Sequence, residues 1–463
     1  MRSIKICFSI ILLILNSSLS ASEPKVKPVD LIIVNGLILT MNNEKKIIEN
    51  GVVVIENSRI LDVGTSDLLD LYSGKIIDAD NGIIMPGMIN THTHAAMSVF
   101  RSLADDVPDR LNRFIFPLEN RMLDDDLVYI GTKYGAIEML KAGVTTMVDM
   151  YLFEEAAARA IKDVGMRGIL TQNIIRFPTA DGKTSNETIN RAIELIEKYK
   201  GDELITPGFG PHAPHTVEKE DLIKIRDLSE HYDVPVSMHV AETVEEFDHF
   251  MNEYDMTPVE YLDSLGLLNP RLIAAHCIFV TDSDIHLLKE RGVGVAHNMI
   301  ANIKSAKGVA PALKMYDLGL RVGLGTDGPM SGNTLDIIRQ MGYVATLHKL
   351  VNEDRSVMTP PKVVDMATMG GARAVYMEDK IGSIEQGKLA DIVIIETKSI
   401  NMMPMYDPYS VLVYSSNSSN VNTVIVNGKL LVQDKILLKI DESLLIEQFK
   451  NITGRVDKMI EDL

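Results

Sequence analysis

Two histidines one residue apart, His92 and His94, end an apolar run that starts at Ile84. In an extended strand the side chains alternate between two faces, so both imidazoles point to the same side. Imidazole nitrogens are common zinc ligands, and two of them on one face can hold a single ion together. Because two imidazoles are too few for a tight site, further ligands must come from other parts of the chain.

Side chains with suitable chemistry also follow later apolar runs. We interpret eight runs as strands: residues 83–90, 144–150, 167–172, 205–210, 236–240, 272–275, 293–296 and 321–325. Every run except the third carries a polar side chain at or just after its end: His92 and His94, then Asp149, His212, His239, His276, His297 with Asn298, and Asp327. Hydrophobic packing does not explain this pattern, which indicates one shared site.

The apolar runs alternate with longer amphipathic stretches, and this alternation predicts how the polar residues meet. It is typical of repeated β/α units around a parallel sheet. Eight such strands close a barrel that carries its active site at the carboxyl ends of the strands. We therefore predict an α/β protein with a metal-dependent (β/α)8 TIM barrel over residues 86–370.

Both flanks of the predicted barrel contain short β-branched runs separated by Asn-Gly and Gly turns. Such runs are typical of strands joined by tight turns. We predict that residues 28–85 and 371–435 form one small β-sandwich domain, into which the barrel is inserted. Helical spacing of apolar residues predicts a C-terminal helix over residues 436–463.

The first residues resemble a secretory signal peptide, with Arg2 and Lys5 before an apolar run from Ile6 to Leu15 and small residues near Ala21. We expect residues 1–21 to be removed and the protein to be periplasmic or secreted. It would be cytoplasmic if this signal did not function. The apolar run is shorter than the roughly 20 residues of a spanning helix, so no stable membrane insertion is expected after cleavage.

Charge and cysteine content exclude other classes of protein. The chain has 46 Lys and Arg against 64 Asp and Glu, and its basic residues do not cluster. Phosphate backbones are bound by clustered basic residues, so we expect no nucleic-acid partner. Of two cysteines only Cys277 would remain after signal cleavage, and we expect it to be a small buried apolar residue rather than half of a disulfide.

The ligand chemistry of the strand-end residues favours a catalytic metal. His92, His94 and His239 offer imidazole nitrogens and Asp327 offers a carboxylate, which leaves a coordination position for water. A bound divalent ion can lower the pKa of that water to about 7, and Asp327 can accept the proton that the water releases. Glu242 follows His239 by three residues, where it could move protons between water and substrate.

Five motifs extend this interpretation to a known family. They are Pro-Gly-Met-Ile-Asn-Thr-His-Thr-His at 86–94, Gly-Phe-Gly-Pro-His-Ala-Pro at 208–214, Met-His-Val-Ala-Glu-Thr at 238–243, Ala-His-Cys at 275–277 and Gly-Thr-Asp-Gly at 325–328. In these motifs the chain resembles the amidohydrolase superfamily, and within it the 5-methylthioadenosine/S-adenosylhomocysteine deaminases. The resemblance extends over nearly the whole chain after the signal segment.

The resemblance implies a role for each matched residue. The metal ligands would be His92, His94, His239 and Asp327, usually around one zinc ion, although iron or manganese would suit the same set. Glu242 would protonate a ring nitrogen, and His276 would lie beside the attacking water. Glu119 would bind the ribose and His212 would make a second substrate contact, together with Glu242 and Asp327. Without the resemblance, we would interpret Glu119 as a solvent-exposed residue of a helix.

The implied reaction is hydrolytic deamination of an adenosine-type nucleoside, such as 5-methylthioadenosine, S-adenosylhomocysteine or adenosine. A metal-bound hydroxide would attack the purine carbon that carries the amino group, and ammonia would leave. The alternatives are another amidohydrolase reaction, such as deamination of guanine or cytosine or attack on a triazine, and a non-catalytic binding protein. The resemblance also implies dimers or larger assemblies.

The chain departs from the family pattern at a few positions. His215 stands where the family often has Tyr, and Met299 stands where Pro is usual. An arginine that some members carry near the third strand aligns with Gln172 or Asn173, and Arg176 is the nearest basic residue. These positions bear on the walls of the substrate pocket rather than on the metal ligands.

Overall fold

The computed structural model describes residues 26–461, so the predicted signal peptide over residues 1–21 lies outside the described residues. The strands are β1 Lys27–Leu39, β2 Ile47–Glu56, β3 Arg59–Gly64, β4 Tyr72–Asp78, β5 Ile83–Pro86, β6 Met88–Thr93, β7 Val144–Tyr151, β8 Arg167–Ile174, β9 Ile205–Pro211, β10 Val236–Val240, β11 Leu272–His276, β12 Gly294–His297, β13 Arg321–Leu324, β14 Ile392–Ile395, β15 Val421–Val426, β16 Lys429–Gln433 and β17 Ile436–Leu437.

The helices connect and cover these strands. They are α1 Phe116–Met122, α2 Asp125–Lys141, α3 Glu154–Val164, α4 Ser185–Tyr199, α5 Lys219–Tyr232, α6 Val244–Tyr254, α7 Pro258–Ser264, α8 Asp282–Glu290, α9 Met299–Lys304, α10 Ala312–Asp317, α11 Ile337–Val351, α12 Pro360–Ala367, α13 Met369–Ala374, α14 Pro408–Tyr414 and α15 Glu442–Glu461. Within residues 26–461, none of the helices is long and apolar enough to span a bilayer.

Strands β6 to β13 form an eight-stranded parallel sheet in chain order. The sheet is nearly closed, because the amide N–H of Thr326, just after the last strand, donates to the carbonyl oxygen of His92 in the first strand at 3.1 Å. All eight predicted barrel strands are present. The prediction of a TIM barrel is therefore confirmed, and the carboxyl ends of its strands meet at one rim.

The first predicted strand, residues 83–90, is two strands that belong to different sheets. Ile83–Pro86 pairs with β1 and β14, whereas Met88–Thr93 pairs with β7 in the barrel. The chain changes sheets at Gly87, where an added Cβ would lie 2.1 Å from the Thr145 hydroxyl oxygen. The lack of a side chain at Gly87 allows this close approach of the two strands.

Strands from both ends of the chain form a single mixed sheet in the order β17-β16-β15-β14-β5-β1-β2-β3, with β4 also paired to β1. The sheet curls, so that Arg59 at the start of β3 forms a bridge with Leu389, just before β14. Ile33, Ile55 and Ile392 are buried in one apolar core inside this curl. Strands from the two chain ends thus form one continuous mixed sheet around its own apolar core.

Helix α13 lies across the barrel at the end opposite the rim. Met369 and Ala372 on this helix share an apolar cluster with Ile89, Val148 and Ile169 from barrel strands. The predicted barrel limit at residue 370 therefore falls inside α13. The helix therefore fills this end of the barrel with apolar side chains.

The C-terminal helix α15 packs against the segment between β6 and α2. Ile452 and Val456 on α15 belong to the same buried apolar cluster as Leu118 on α1 and Tyr151 at the end of β7. The Phe449 ring stacks on Tyr134 with ring centroids 4.0 Å apart. This helix therefore supports the segment that carries Glu119.

We expect Gly87→Ala to destabilise the protein by about 1–3 kcal/mol, because its methyl group would overlap Thr145 and push the chain at Gly87 away from β7. The midpoint of thermal unfolding, followed by circular dichroism, measures the change. Gly454→Ala is the matched control, since nothing lies within 4 Å of the added Cβ on this exposed helix position. Equal midpoints for the two variants would contradict this view of Gly87.

Candidate active site

The barrel rim brings together four side chains that strands deliver from distant parts of the sequence. His92 lies in β6, His94 follows it, His239 lies in β10, and Asp327 comes just after β13. The His94 Nε2 atom is 3.2 Å from Asp327 Oδ1 and 3.3 Å from His239 Nε2. His92 Nε2 is 3.9 Å from the same carboxylate oxygen. The four predicted ligands therefore face a common centre.

The second nitrogens of two of these imidazoles fix the direction of their lone pairs. His94 Nδ1 is 2.6 Å from the Met150 carbonyl oxygen, and His239 Nδ1 is 2.7 Å from the His212 carbonyl oxygen. A carbonyl oxygen can only accept a hydrogen bond, so each Nδ1 must carry the proton. Each Nε2 then presents its lone pair to the centre, which is the usual arrangement of metal-binding histidines.

The surroundings of His92 test whether these residues fit a cation. Its ring is fully buried, and within residues 26–461 neither ring nitrogen has a hydrogen-bond partner. Burial keeps the pKa of His92 well below its usual value, so the ring is neutral. A buried polar atom without a partner is costly, and a neutral imidazole is the form that binds a metal. The residues therefore fit a divalent ion held by nitrogen and carboxylate ligands.

Glu242 and His276 lie at the edge of this cluster. His276 Nε2 is 3.6 Å from Glu242 Oε1, and His276 Nδ1 is 2.7 Å from Asn302 Oδ1. With Asn302 oriented to accept through Oδ1, His276 keeps its proton on Nδ1 and turns the Nε2 lone pair toward the site. Burial alone would raise the pKa of Glu242, but the nearby His276 and Lys307 lower it to about 2. Glu242 is therefore ionised at neutral pH.

The turn that carries Glu242 is held by a second carboxylate, Glu246. Its two oxygens accept hydrogen bonds from the backbone N–H groups of Ala241 and Glu242, at 3.0 and 2.9 Å. Ala241 has a φ of 50°, in the left-handed region that non-glycine residues rarely adopt. His276 and Asp327 have φ values of 75° and 59°. Such strained backbone persists only where the surrounding structure enforces it, and it clusters at functional sites.

A cavity of about 310 Å³ opens beside the histidine cluster. His94, His212 and His239 line its inner end, and Glu119 lies along its wall. The remaining walls are largely apolar and aromatic, formed by Met97, Phe116, Leu152, Ile175, Phe177 and Pro178. A mostly apolar cleft with a few converging polar groups is typical of a small-molecule site.

Glu119 is not a solvated helix residue, because it faces this cavity. The Tyr151 hydroxyl donates a hydrogen bond to Glu119 Oε1 at 2.6 Å. Burial raises the pKa of Glu119 to about 7, although the bond from Tyr151 opposes this shift. Glu119 is therefore a hydrogen-bond acceptor in the cavity wall, and its carboxyl group gains or loses a proton near neutral pH.

Two strand-end residues from the sequence pattern do not join the cluster. The Asp149 carboxylate accepts a hydrogen bond from the backbone N–H of Ala95 at 2.8 Å, which steadies the chain just after His94. His297 turns toward helix α11, where its Nε2 is 3.2 Å from His348 Nε2. Both side chains therefore bond to other parts of the rim structure and do not line the cavity.

Three residues near the site have no counterpart among the sequence predictions: Tyr151, Asn302 and Lys307. Each contacts a predicted site residue through a side chain that comes from another segment of the chain. Among the positions where the chain departs from the family pattern, Arg176 pairs with Glu218 at 3.4 Å and lies over the Phe177 ring. No local spacing links Tyr151, Asn302 or Lys307 to the predicted metal ligands, so sequence periodicity could not identify them.

A family model described as the Amidohydrolase family matches residues 83–431. The chain belongs to the amidohydrolase family. This amidohydrolase is 40% identical over 417 residues to a 5-methylthioadenosine/S-adenosylhomocysteine deaminase of Thermodesulfovibrio yellowstonii, across 89% of its own chain and 95% of the relative. The resemblance that the five motifs carry is thereby confirmed.

Two further relatives agree with this membership. A 5'-deoxyadenosine deaminase of Methanococcoides burtonii is 37% identical over 436 residues, which cover 92% of this chain and 99% of the relative. A crystal structure of an adenosine deaminase from Xanthomonas campestris with bound zinc has a TM-score of 0.92 at 33% identity, covering 94% of this chain and all of that one. The amidohydrolase is therefore a hydrolase of carbon–nitrogen bonds of the deaminase type.

We expect the purified amidohydrolase to bind about one divalent ion per chain and to gain thermal stability from it, since binding to the folded state alone stabilises that state. Elemental analysis and the zinc-induced shift in melting temperature measure both effects. The double variant His92→Ala/His239→Ala should lose the ion and the shift. His231→Ala, an exposed histidine of α5, is the control that should keep both. Retention of the ion by the double variant would contradict this ligand assignment.

Proposed function

We propose that this amidohydrolase is a metal-dependent deaminase of adenosine-type nucleosides that releases ammonia. The substrates would be 5-methylthioadenosine, S-adenosylhomocysteine and adenosine, and zinc would be the metal. The observation that carries the proposal is that Glu119 lines the same cavity as His94 and His239. A carboxylate at that position can accept hydrogen bonds from ribose hydroxyls while the purine reaches the histidine cluster. The names of the three relatives support the same substrate class.

The proposed chemistry divides the work between the metal and the protein. A divalent ion held by His92, His94, His239 and Asp327 would act as a Lewis acid that makes water a nucleophile at neutral pH. The Nε2 atom of His276 accepts a hydrogen bond from the attacking water and directs it at the amino-bearing carbon of the purine.

Two carboxylates move the protons. Glu242 is ionised, so it can accept a proton from the water through a side-chain oxygen and pass it to the purine ring nitrogen. Asp327, whose Oδ1 lies 3.2 Å from His94 Nε2 at the centre of the cluster, accepts the second proton of the water. That proton goes to the departing amino group, which leaves as ammonia.

The function is tested by incubating the purified protein with adenosine, 5-methylthioadenosine, S-adenosylhomocysteine, guanine and cytosine, with ammonia release as the readout. We expect ammonia from the adenosine-type compounds. Glu119→Gln should lower kcat/KM for them about 10- to 100-fold, the usual loss of a charged hydrogen-bond acceptor. Glu49→Gln, a replacement on the exposed part of β2, is the matched control. Release of ammonia from the free bases alone would overturn the proposal in favour of a base deaminase.

Glu119 should also set a pH dependence. Its pKa of about 7 exceeds that of a free carboxyl because burial disfavours the charge, so the group takes up a proton on acidification from pH 8 to 6. The protonated form loses acceptor capacity for ribose hydroxyls. We therefore expect kcat/KM for adenosine to decrease when the pH is lowered below about 7. The same decrease should be absent for 2',3'-dideoxyadenosine, which has no ribose hydroxyls at these positions. The same acid limb for both compounds would contradict the role of Glu119.

A further inference from the structure

The side chain of Lys307 ends at the carboxylate that we assign to proton transfer. Its Nζ lies 2.5 Å from Glu242 Oε1, and only 28% of the Lys307 side chain is exposed. A lysine normally keeps its ammonium in water, because an ammonium loses hydration when it is buried. Within residues 26–461, Glu242 is the one carboxylate that this ammonium pairs with. The cost of placing Lys307 here is therefore offset by contact with Glu242.

The backbone around Lys307 directs the side chain into the site. Helix α9 ends at Lys304, and Ala306 then takes a left-handed φ of 56° that turns the chain back. The N–H of Lys307 donates to the carbonyl oxygen of Asn302 at 2.9 Å. The following residue, Gly308, has a φ of 120°, which side-chain-bearing residues rarely adopt. The turn thus fixes where the lysine side chain begins.

The same turn holds His276. The side-chain Oδ1 of Asn302 contacts His276 Nδ1. The backbone carbonyl oxygen of Asn302 accepts the hydrogen bond from the N–H of Lys307. His276 and Glu242 are therefore both held by residues of one short segment, 302–307. Movement of this segment would displace both groups together.

The other basic side chains near the rim have a different partner. Lys304 Nζ lies 2.7 Å from Asp105 Oδ1, and Arg110 Nη1 lies 3.0 Å from the same oxygen. Both therefore neutralise an acid outside the catalytic cluster. Among the lysines and arginines within residues 26–461, Lys307 is the one that contacts Glu242.

We propose that Lys307 is a positioning residue for Glu242, an inference that rests on the proposed function. Its ammonium fixes Oε1 of a side chain that would otherwise rotate, and His276 approaches the same oxygen. Oε2 is then the oxygen that exchanges the proton between water and purine. A charge-assisted hydrogen bond gives such orientation because it is short and directional, and a fixed proton carrier lowers the barrier without binding substrate more tightly.

Lys307→Met keeps the length of the side chain and removes its charge. We expect kcat for the best nucleoside substrate to fall about 10- to 100-fold while KM changes less than about threefold, since Lys307 acts through Glu242 rather than on the nucleoside. Lys307→Arg, which keeps the cation, should retain at least about a third of kcat. Lys314→Met is the matched control, because that lysine pairs with exposed Asp282 and should leave both constants unchanged.

Chemical rescue separates positioning from a structural role. Lys307→Ala should lose activity and recover part of it, in a saturable way, when ethylammonium is added; tetramethylammonium, which has no N–H to donate, should not restore it. Unchanged kcat in Lys307→Met would overturn the inference. So would a loss that neither arginine nor ethylammonium restores, accompanied by a lower melting temperature. A wild-type protein that releases no ammonia from any nucleoside would instead refute the proposed function.

Discussion

The Nε2 atoms of His94 and His239 lie 3.3 Å apart, and both rings have their protons committed to backbone carbonyls on the other side. Two lone pairs at this distance repel each other, and the carboxylate of Asp327 adds negative charge at 3.2 Å from one of them. Such an arrangement favours a positive charge at its centre. Other contacts at the rim must hold the two imidazoles and the Asp327 carboxylate in place against their mutual repulsion.

Closure of the barrel holds these groups together. The carbonyl oxygen of His92 accepts hydrogen bonds from both Thr326 and Asp327, so the first ligand strand and the last ligand are joined by the backbone itself. Apolar side chains of α13 fill the opposite end of the barrel, whereas His276 and Asp327 at the rim have left-handed backbone angles. Stability is thus concentrated at one end of the barrel and strain at the other.

Strand periodicity predicted the barrel and the residues that meet at its rim because both are local properties: an apolar run and a polar residue at its end. The strand assignment treated residues 83–90 as one run, whereas the structure divides it at Gly87 into one strand of each sheet, next to the predicted start of the barrel at residue 86. It also could not tell that Asp149 and His297 turn away from the cavity, because orientation at a rim depends on the neighbouring helices. Lys307 reaches Glu242 through a turn whose direction is set by backbone angles alone.

The position of β5 has a consequence for how the chain can fold. This strand lies between β1, which precedes it, and β14, which begins only at Ile392. During synthesis its buried residues therefore keep one unpaired edge until the whole barrel sequence has been made. Native pairing of the mixed sheet must wait for distant sequence, which slows folding and leaves an edge open to wrong partners. The strand that leads into His92 and His94 is therefore paired on both edges only in a chain that has been synthesised as far as Ile395.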